Sequence, residues 1–233
     1  MQTPSKTKPL PLPRAALRTG FSLIELLAVI AIIGIMMAAA APGMFAVIRA
    51  TKLTSAGDTI LSRVAQAQQL ALTMSSPVEL RFYSYTPGDQ PGAEEAIRAV
   101  QLVDPEYESV VGASTTVTSK ALSEPFVLPA GMVVATSETL SPLTQSKIGT
   151  AGSFFASAPD AKYSALHFYP DGSFKKLTSS TSGTTGGTGA VSPALVDSFL
   201  TIVADRDMSE AAPKNFFCIQ LDPYTSKARL YRP

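Results

Sequence analysis

The feature that most constrains this chain is an apolar run that begins at Phe21 and contains a single carboxylate, Glu25. No other charged residue occurs between Phe21 and Ile48. An ionised acidic side chain near the centre of a membrane helix costs about 2.5–3.5 kcal/mol, so a chain that keeps one there is expected to supply a partner for it. The sequence therefore raises the question of what pairs with Glu25.

A basic leader, residues 1–20, precedes the apolar run. It contains lysines and arginines but no acidic residue, and its prolines preclude a continuous helix. Cationic residues beside an apolar span stay on the cytoplasmic side of a membrane. The sequence thus predicts a single membrane pass, with the N terminus in the cytoplasm and the chain beyond Arg49 outside it.

Three interpretations of residues 21–48 compete. An ordinary secretory signal peptide would be cut after the small residues Ala39–Ala41. A plain membrane anchor would be short, because Pro42 interrupts the run. The third possibility is a signal that is cut at the start of the run. Glu25 and a helical pattern that continues beyond the run both argue against the signal peptide.

This helical pattern extends to Met74. Small and apolar residues recur at intervals of three and four from Leu53 onward, which places them on one face of a helix. Pro42 is expected to kink the helix, and Pro77 is expected to follow its end. We predict one helix from Phe21 to about Met74, apolar almost all round at first and amphipathic after residue 48.

The chain after Pro77 is expected to form a β-rich head. Alternation predicts a half-buried strand in which Val78, Leu80 and Phe82 face inward. Further strands are expected at Ile97–Val103, Pro125–Val134, Ala165–Tyr169, Phe174–Leu177, Phe199–Ala204, Phe216–Leu221 and Lys227–Tyr231. Residues 84–95 and 178–193 are expected to be loops. The predicted fold class is α+β, with a mostly antiparallel sheet on the amphipathic half of the helix.

The segment Gly20-Phe21-Ser22-Leu23-Ile24-Glu25, with the apolar run and Pro42 after it, resembles the class III signal of type IV pilins and type II secretion pseudopilins. The resemblance implies a pilin-like fold and a prepilin peptidase that cuts between Gly20 and Phe21. It also implies N-methylation of Phe21 by the same enzyme. Glu25 of one subunit would then neutralise the Phe21 amine of its neighbour and set the assembly register. The alternative for Glu25 is snorkelling to the membrane interface.

The same resemblance divides the chain into functional segments. Residues 1–20 would be the removed leader, 21–48 the transmembrane and filament-core helix, 49–76 its amphipathic continuation, and 77–233 the globular head. The implied partners are other pilins or pseudopilins in a hetero-oligomeric filament, an inner-membrane assembly platform and membrane lipid. The implied location is the bacterial inner membrane, with the head on the periplasmic side, and then a pilus or pseudopilus.

The head has a narrower resemblance. Residues 61–71, followed by Ser75-Ser76-Pro77-Val78-Glu79-Leu80, resemble the H-type minor pseudopilins, in which the helix turns sharply into the first strand. The length and the stretch 140–143 are also similar to the Verru_Chthon cassette protein D group. A single cysteine, Cys218, leaves no disulfide-closed loop of the kind that many major pilins have.

Other chemistry is sparse in this sequence. The formal net charge is +1, which gives no case for nucleic acid as a partner. The only histidine, His167, is expected to be a surface or satisfied residue, and no catalytic signature is recognisable, so no enzyme is predicted. No cofactor is predicted, and the head carboxylates are expected to be solvated in loops. The alternative is a calcium site, which the resemblance to pseudopilins implies because some major pseudopilins bind calcium, and which would need several oxygen ligands brought together by the fold. Its candidate ligands are Asp104, Glu106, Glu108, Asp205 and Asp207.

The sequence therefore favours a filament subunit, either a minor pseudopilin or a pilin-like protein of a secretion, pilus or uptake machine. The alternative is a secreted or membrane-anchored β-rich binding module that begins with an ordinary signal sequence. A cell-envelope hydrolase is the third class.

Overall fold

The computed structural model describes residues 21–88, 92–111, 114–178 and 190–233. In this part of the chain, one helix, α1 (Leu23–Met74), is followed by β-strands joined by turns and short 3-10 segments. The strands are β1 (Val78–Tyr85), β2 (Ala96–Val111), β3 (Ser114–Ala121), β4 (Phe126–Val127), β5 (Met132–Val134), β6 (Gly149–Thr150), β7 (Lys162–Phe168), β8 (Phe174–Leu177), β9 (Ala190–Val191), β10 (Phe199–Ala204), β11 (Phe216–Leu221) and β12 (Ala228–Tyr231).

Helix α1 confirms the predicted long helix. The carbonyl of Ser22 accepts the first backbone hydrogen bonds, and the helix ends at Met74, before Ser75 adopts a positive φ of 52°. Such a left-handed residue is a common way to terminate a helix. The helix is assigned without a break through Pro42, but the surroundings of residues 39–43 lie outside the description. The kink at Pro42 therefore stays a prediction.

The chain divides into two compact units, Met1–Phe45 and Ala46–Pro233. In the first unit, the described helix residues from Leu23 to Ala38 are all exposed. The second unit contains the rest of α1 and every strand of the described residues. Across the described part of the chain, no helix is both long and apolar enough to cross a membrane.

The strands differ in length and form one sheet, in which every described pairing is antiparallel, as predicted. Its order among the described strands is β12-β11-β10-β5-β2-β1-β7-β8-β9. Strands β3 and β4 also pair with β2, and β6 pairs with β7. The result is the α+β, pilin-like combination of an N-terminal helix and an antiparallel sheet.

The main core lies between the second half of α1 and one face of the sheet. A stripe of helix residues is at most 2 % exposed, comprising Leu53, Ala56, Ile60, Val64, Ala67 and Ala71. They contact the inward residues Val78, Leu80 and Phe82 of β1, which are fully buried. This confirms the predicted packing, and it explains the alanines, because small side chains let a sheet approach a helix closely.

The opposite face of β1 is also covered, which the sequence prediction missed. Glu79, Arg81 and Tyr83 alternate with the core residues, but they are 3 %, 5 % and 0 % exposed. Residues 151–161, here called the cap segment, lie over them, and the Phe155 ring is 5.3 Å from the ring of Tyr83. The prediction that β1 is only half buried was therefore wrong, because period-two alternation does not reveal what covers the polar face.

Strand β2 extends well beyond its predicted end at Val103. The pairing of β1 with β2 stops at Glu79 and Val103, whereas β2 continues beside β3 to the pair Val111 and Ser114. Residues 104–111 and 114–120 are here called the β2–β3 arm. The sequence did not predict β3, because its run of serines and threonines is typical of loops as well as of strands.

Candidate functional site at the N-terminal segment

The candidate site is built at the start of α1. Glu25 lies in the first turn, where its backbone N–H donates to the Ser22 carbonyl at 3.0 Å, and Leu26 donates to the same oxygen at 3.1 Å. A carboxylate in the first turn is favourable because the helix dipole leaves partial positive charge there. Phe21 is 79 % exposed and lies four residues before Glu25 in the sequence, just before α1 begins at Leu23.

The helix around this carboxylate has a large exposed apolar surface. Leu23, Ile24, Leu26 and Ile30 are each at least 60 % exposed, and Glu25 among them is exposed too. Continuous apolar surface on this scale marks a site of interaction with a membrane or with another protein. Among the described residues, the start of α1 makes no contact that buries these side chains, so their burial requires a membrane or another protein.

A family model described as the prokaryotic N-terminal methylation motif matches residues 16–41. The chain carries a class III prepilin signal. This finding confirms the resemblance to type IV pilins and pseudopilins that the sequence suggested, while the H-type subgroup stays a prediction. The prepilin signal implies processing by a prepilin peptidase, an anchoring N-terminal helix and assembly with other pilins. No curated protein and no solved structure matches the chain.

The residues assigned to the prepilin signal are only partly described. Gly20, on the leader side of the cleavage site, lies outside the described residues, whereas Phe21 and Glu25 lie within them. Cleavage between Gly20 and Phe21, methylation of Phe21 and the assembly role of Glu25 stay predictions.

Among the side chains that the structure describes, the calcium candidates do not converge. Asp205 accepts hydrogen bonds from Arg98 at 2.9 and 3.0 Å, and Asp207 accepts one from Arg206 at 3.1 Å. Asp104 accepts a hydrogen bond from the backbone N–H of Glu106 at 3.0 Å. Among the described residues, no group of three or more His, Cys, Asp or Glu side chains is placed to hold a metal ion. The Glu108 side chain lies outside the described part.

Sequence reasoning also missed a buried polar cluster on β1 and β7. Glu79 Oε2 lies 3.0 Å from Nη2 of Arg81 and 3.8 Å from Nε2 of His167. Burial alone raises the pKa of Glu79, but the nearby His167 side chain and the charge of Arg81 favour the ionised carboxylate and outweigh burial, so this pKa lies below its ordinary value. Burial also raises the pKa of Tyr83 to about 12, and its hydroxyl donates to Gln101 at 2.6 Å.

The cap segment holds this cluster in place through aromatic contacts. The Arg81 guanidinium carbon lies 4.7 Å from the ring centre of Phe154 and 4.4 Å from that of Tyr163, one ring from the cap segment and one from β7. A cation between aromatic rings is stabilised by their negative faces. No local sequence pattern reveals the cluster, because only the pairing of β1 with β7 places His167 directly beside Glu79. The cluster therefore joins β1, β7 and the cap segment.

Proposed function

We propose that this chain is a structural subunit of a type II secretion or type IV pilus-like filament, as a minor pseudopilin or pilin-like protein. It is processed between Gly20 and Phe21 and assembles through its N-terminal helix. The observation that carries the proposal is the prepilin signal, which leads directly into an exposed apolar helix with Glu25 in its first turn. The apolar residues would become the filament core when subunits pack together.

Cleavage creates the partner for Glu25. A new α-amine at Phe21 carries a positive charge, and in a filament the Glu25 of an adjacent subunit can pair with it. Pairing removes the cost of burying an isolated carboxylate in an apolar surrounding, and it fixes how far one helix slides along the next. Glu25 thus acts as a positioning group for assembly.

The proposal is non-enzymatic. The signal belongs to structural filament subunits, and the buried Glu79 and Arg81 of the head form an ion pair with each other. The partners would be a prepilin peptidase, other pilins or pseudopilins, an inner-membrane assembly platform and membrane lipid. The subunit would reside in the bacterial inner membrane as a single-pass protein with its head outside the cytoplasm, before it enters the filament.

The mature N terminus tests the proposal against the alternative of a secreted or anchored binding module. N-terminal sequencing and mass spectrometry of the membrane-associated protein should show a start at Phe21, with an N-methyl group. A start immediately after Ala41 would instead identify an ordinary signal peptide and would overturn the proposal.

The variant Glu25→Ala tests the assembly role. Cleavage and membrane insertion should be unchanged, while recovery in the sheared filament fraction should fall by at least about tenfold, because breaking a buried ion pair costs about 3–5 kcal/mol. Ser22→Ala is the matched control, because Ser22 contacts the helix through its backbone carbonyl, which the substitution keeps. Normal incorporation of Glu25→Ala would refute the ion pair.

A further inference from the structure

The β2–β3 arm has an unpaired strand edge. From Tyr107 to Val111, β2 has a hydrogen-bonding partner on one side only among the described residues, and this partner is β3. A two-stranded ribbon is marginally stable by itself, and the free backbone groups of an edge strand form a template for another strand. The arm is therefore suited to strand addition by another chain.

A second free edge lies at the other end of the sheet order. Strand β12 pairs with β11 and with no other described strand. Lys227 and Arg229, at the start of β12, are exposed, and neither has an ion-pair partner within 4.0 Å in the described part of the chain. The carboxylate of nearby Asp222 accepts hydrogen bonds from the backbone N–H groups of Tyr224 and Thr225. Strand β12 thus presents unpaired backbone groups together with positive charge.

The charges of these two edges are complementary. Residues 104–111 contain Asp104, Glu106 and Glu108 and no basic residue, whereas residues 227–232 contain Lys227, Arg229 and Arg232 and no acidic residue. Glu106 is exposed and is in no described salt bridge, while Asp104 is buried and bonded to the backbone. Opposite charges across strands stabilise their pairing, and like charges oppose it.

The two edges lie at different levels along α1, so one copy cannot pair them with each other. Strand β12 runs beside α1 between Gln68, which donates to the Ser226 carbonyl, and Thr54, which accepts from Arg232. The arm instead extends past the start of β1, on the side where α1 ends at Met74. Thr54 and Met74 are separated by about 30 Å at 1.5 Å per residue.

We propose that the free β2 edge of the β2–β3 arm in one copy pairs with β12 of a second copy of this chain. The inference rests on the proposed function, since it adds a contact between heads to a filament that the N-terminal helices assemble. The contact joins two different surfaces, so each copy can offer one surface to the next copy, and with the screw arrangement of a filament the contact repeats as an open series.

Chemical cross-linking of the full chain in its own membrane tests this contact. In a Cys218→Ser background, a chain with both Ser109→Cys and Leu230→Cys is treated with a short bismaleimide, which tolerates a slip in register. A ladder of dimers and longer multimers is expected. The matched control places the second cysteine at exposed Ser157 in the cap segment, paired with Leu230→Cys, and should give no ladder.

Charge reversal then tests whether the cross-linking comes from this specific contact or from random collisions between chains. Changing both Glu106 and Glu108 to Lys, or both Lys227 and Arg229 to Glu, should reduce the cross-linked fraction by about fivefold, since each reversal turns attractive pairs into repulsive ones. Combining both reversals in one chain should restore it.

Two results would overturn the inference. One is the absence of a ladder while the protein starts at Phe21 and is recovered in filaments, a result that leaves the proposed function intact. The other is cross-linking of Ser109→Cys only to a different protein. A start after Ala41 would instead overturn the proposed function and, with it, the inference that rests on it.

Discussion

At the scale of single residues, Glu79 shows how a buried charge is tolerated in the head. It is 3 % exposed, and although burial raises its pKa, the neighbouring His167 and the charge of Arg81, whose Nη2 lies 3.0 Å from its Oε2, hold that pKa below its ordinary value. Removing one partner from such a cluster leaves an uncompensated charge, which costs more than the pair itself contributes. The cluster thus makes the outer face of β1 sensitive to pH.

The pH dependence of unfolding measures this sensitivity. Because the folded-state pKa of Glu79 is lowered from 4.5, its ionised form stabilises the head above that pH, and the contribution is lost as pH falls through the folded pKa. Denaturant unfolding of the detergent-solubilised chain between pH 7 and pH 3 should therefore show a steeper loss for the native chain than for Glu79→Gln. The other carboxylates are the same in both proteins, so an equal pH dependence of the free energy of unfolding would contradict a lowered pKa of Glu79 in the folded head.

Sequence patterns predicted the burial of some residues but not of others. The inward residues of β1 and the helix stripe follow directly from periodicity, and Glu25 stands out because one charge interrupts an apolar run. The burial of Arg81 could not be predicted, because it depends on Phe154, which lies far away in the sequence and reaches β1 only through the fold. Contacts of this kind leave no local pattern.

At the scale of elements, the close approach of the sheet to α1 limits the size of the side chains that the helix can carry on its buried face. A Cβ atom added at Gly57 would overlap ring atoms of Phe217 on β11, a residue that is 4 % exposed. Phe217 belongs to the main core, so its ring has little room to move. Gly57 is therefore required by packing, although glycine is unfavourable within a helix.

The variant Gly57→Ala should lower the free energy of unfolding of the head by about 1–3 kcal/mol, as overpacked cores do. Thermal or denaturant unfolding measures the change. Gly34→Ala is the matched control, because a Cβ there meets nothing within 4 Å, and its stability should be unchanged or slightly higher. Combining Gly57→Ala with Phe217→Leu should recover part of the loss, and a fully stable Gly57→Ala would refute the close approach.

The elements themselves were largely predictable. Helix α1, strand β1 and the hairpin of β7 and β8 have strong periodic or turn signals, whereas β3 and the extension of β2 do not. Pro105 and the serines and threonines after it are typical of a loop, and only pairing between distant parts of β2 and β3 makes them strands. Tertiary pairing there overrides local propensity.

At the scale of the whole molecule, the proposed function makes assembly depend on a single covalent event. Until the leader is removed, the amine at Phe21 does not exist, and Glu25 has no cation to pair with. The basic leader would thus keep the subunit in the membrane as a precursor. Processing and incorporation into the filament are then coupled steps.

The variant Gly20→Leu tests this coupling. A bulky side chain should prevent the peptidase from approaching the backbone, so that the intact mass retains residues 1–20 and the protein is missing from sheared filaments. Gly20→Ala is the control, with little added bulk, and should be at least partly processed. Filament recovery of an uncut Gly20→Leu chain would show that assembly does not need the new amine.

The cap segment gives the head a layer that can open separately. Its backbone hydrogen bonds join residues of the segment to each other. They link Ala151 with Ala161, Gly152 with Pro159, and Phe155 with Ala158. Lifting it would break aromatic contacts but none of the ladders between β1, β2 and β7. We therefore expect two levels of cooperativity in the head. Amide protons of the cap should exchange with solvent through a local fluctuation, while those of the central strands should exchange only when the whole sheet unfolds.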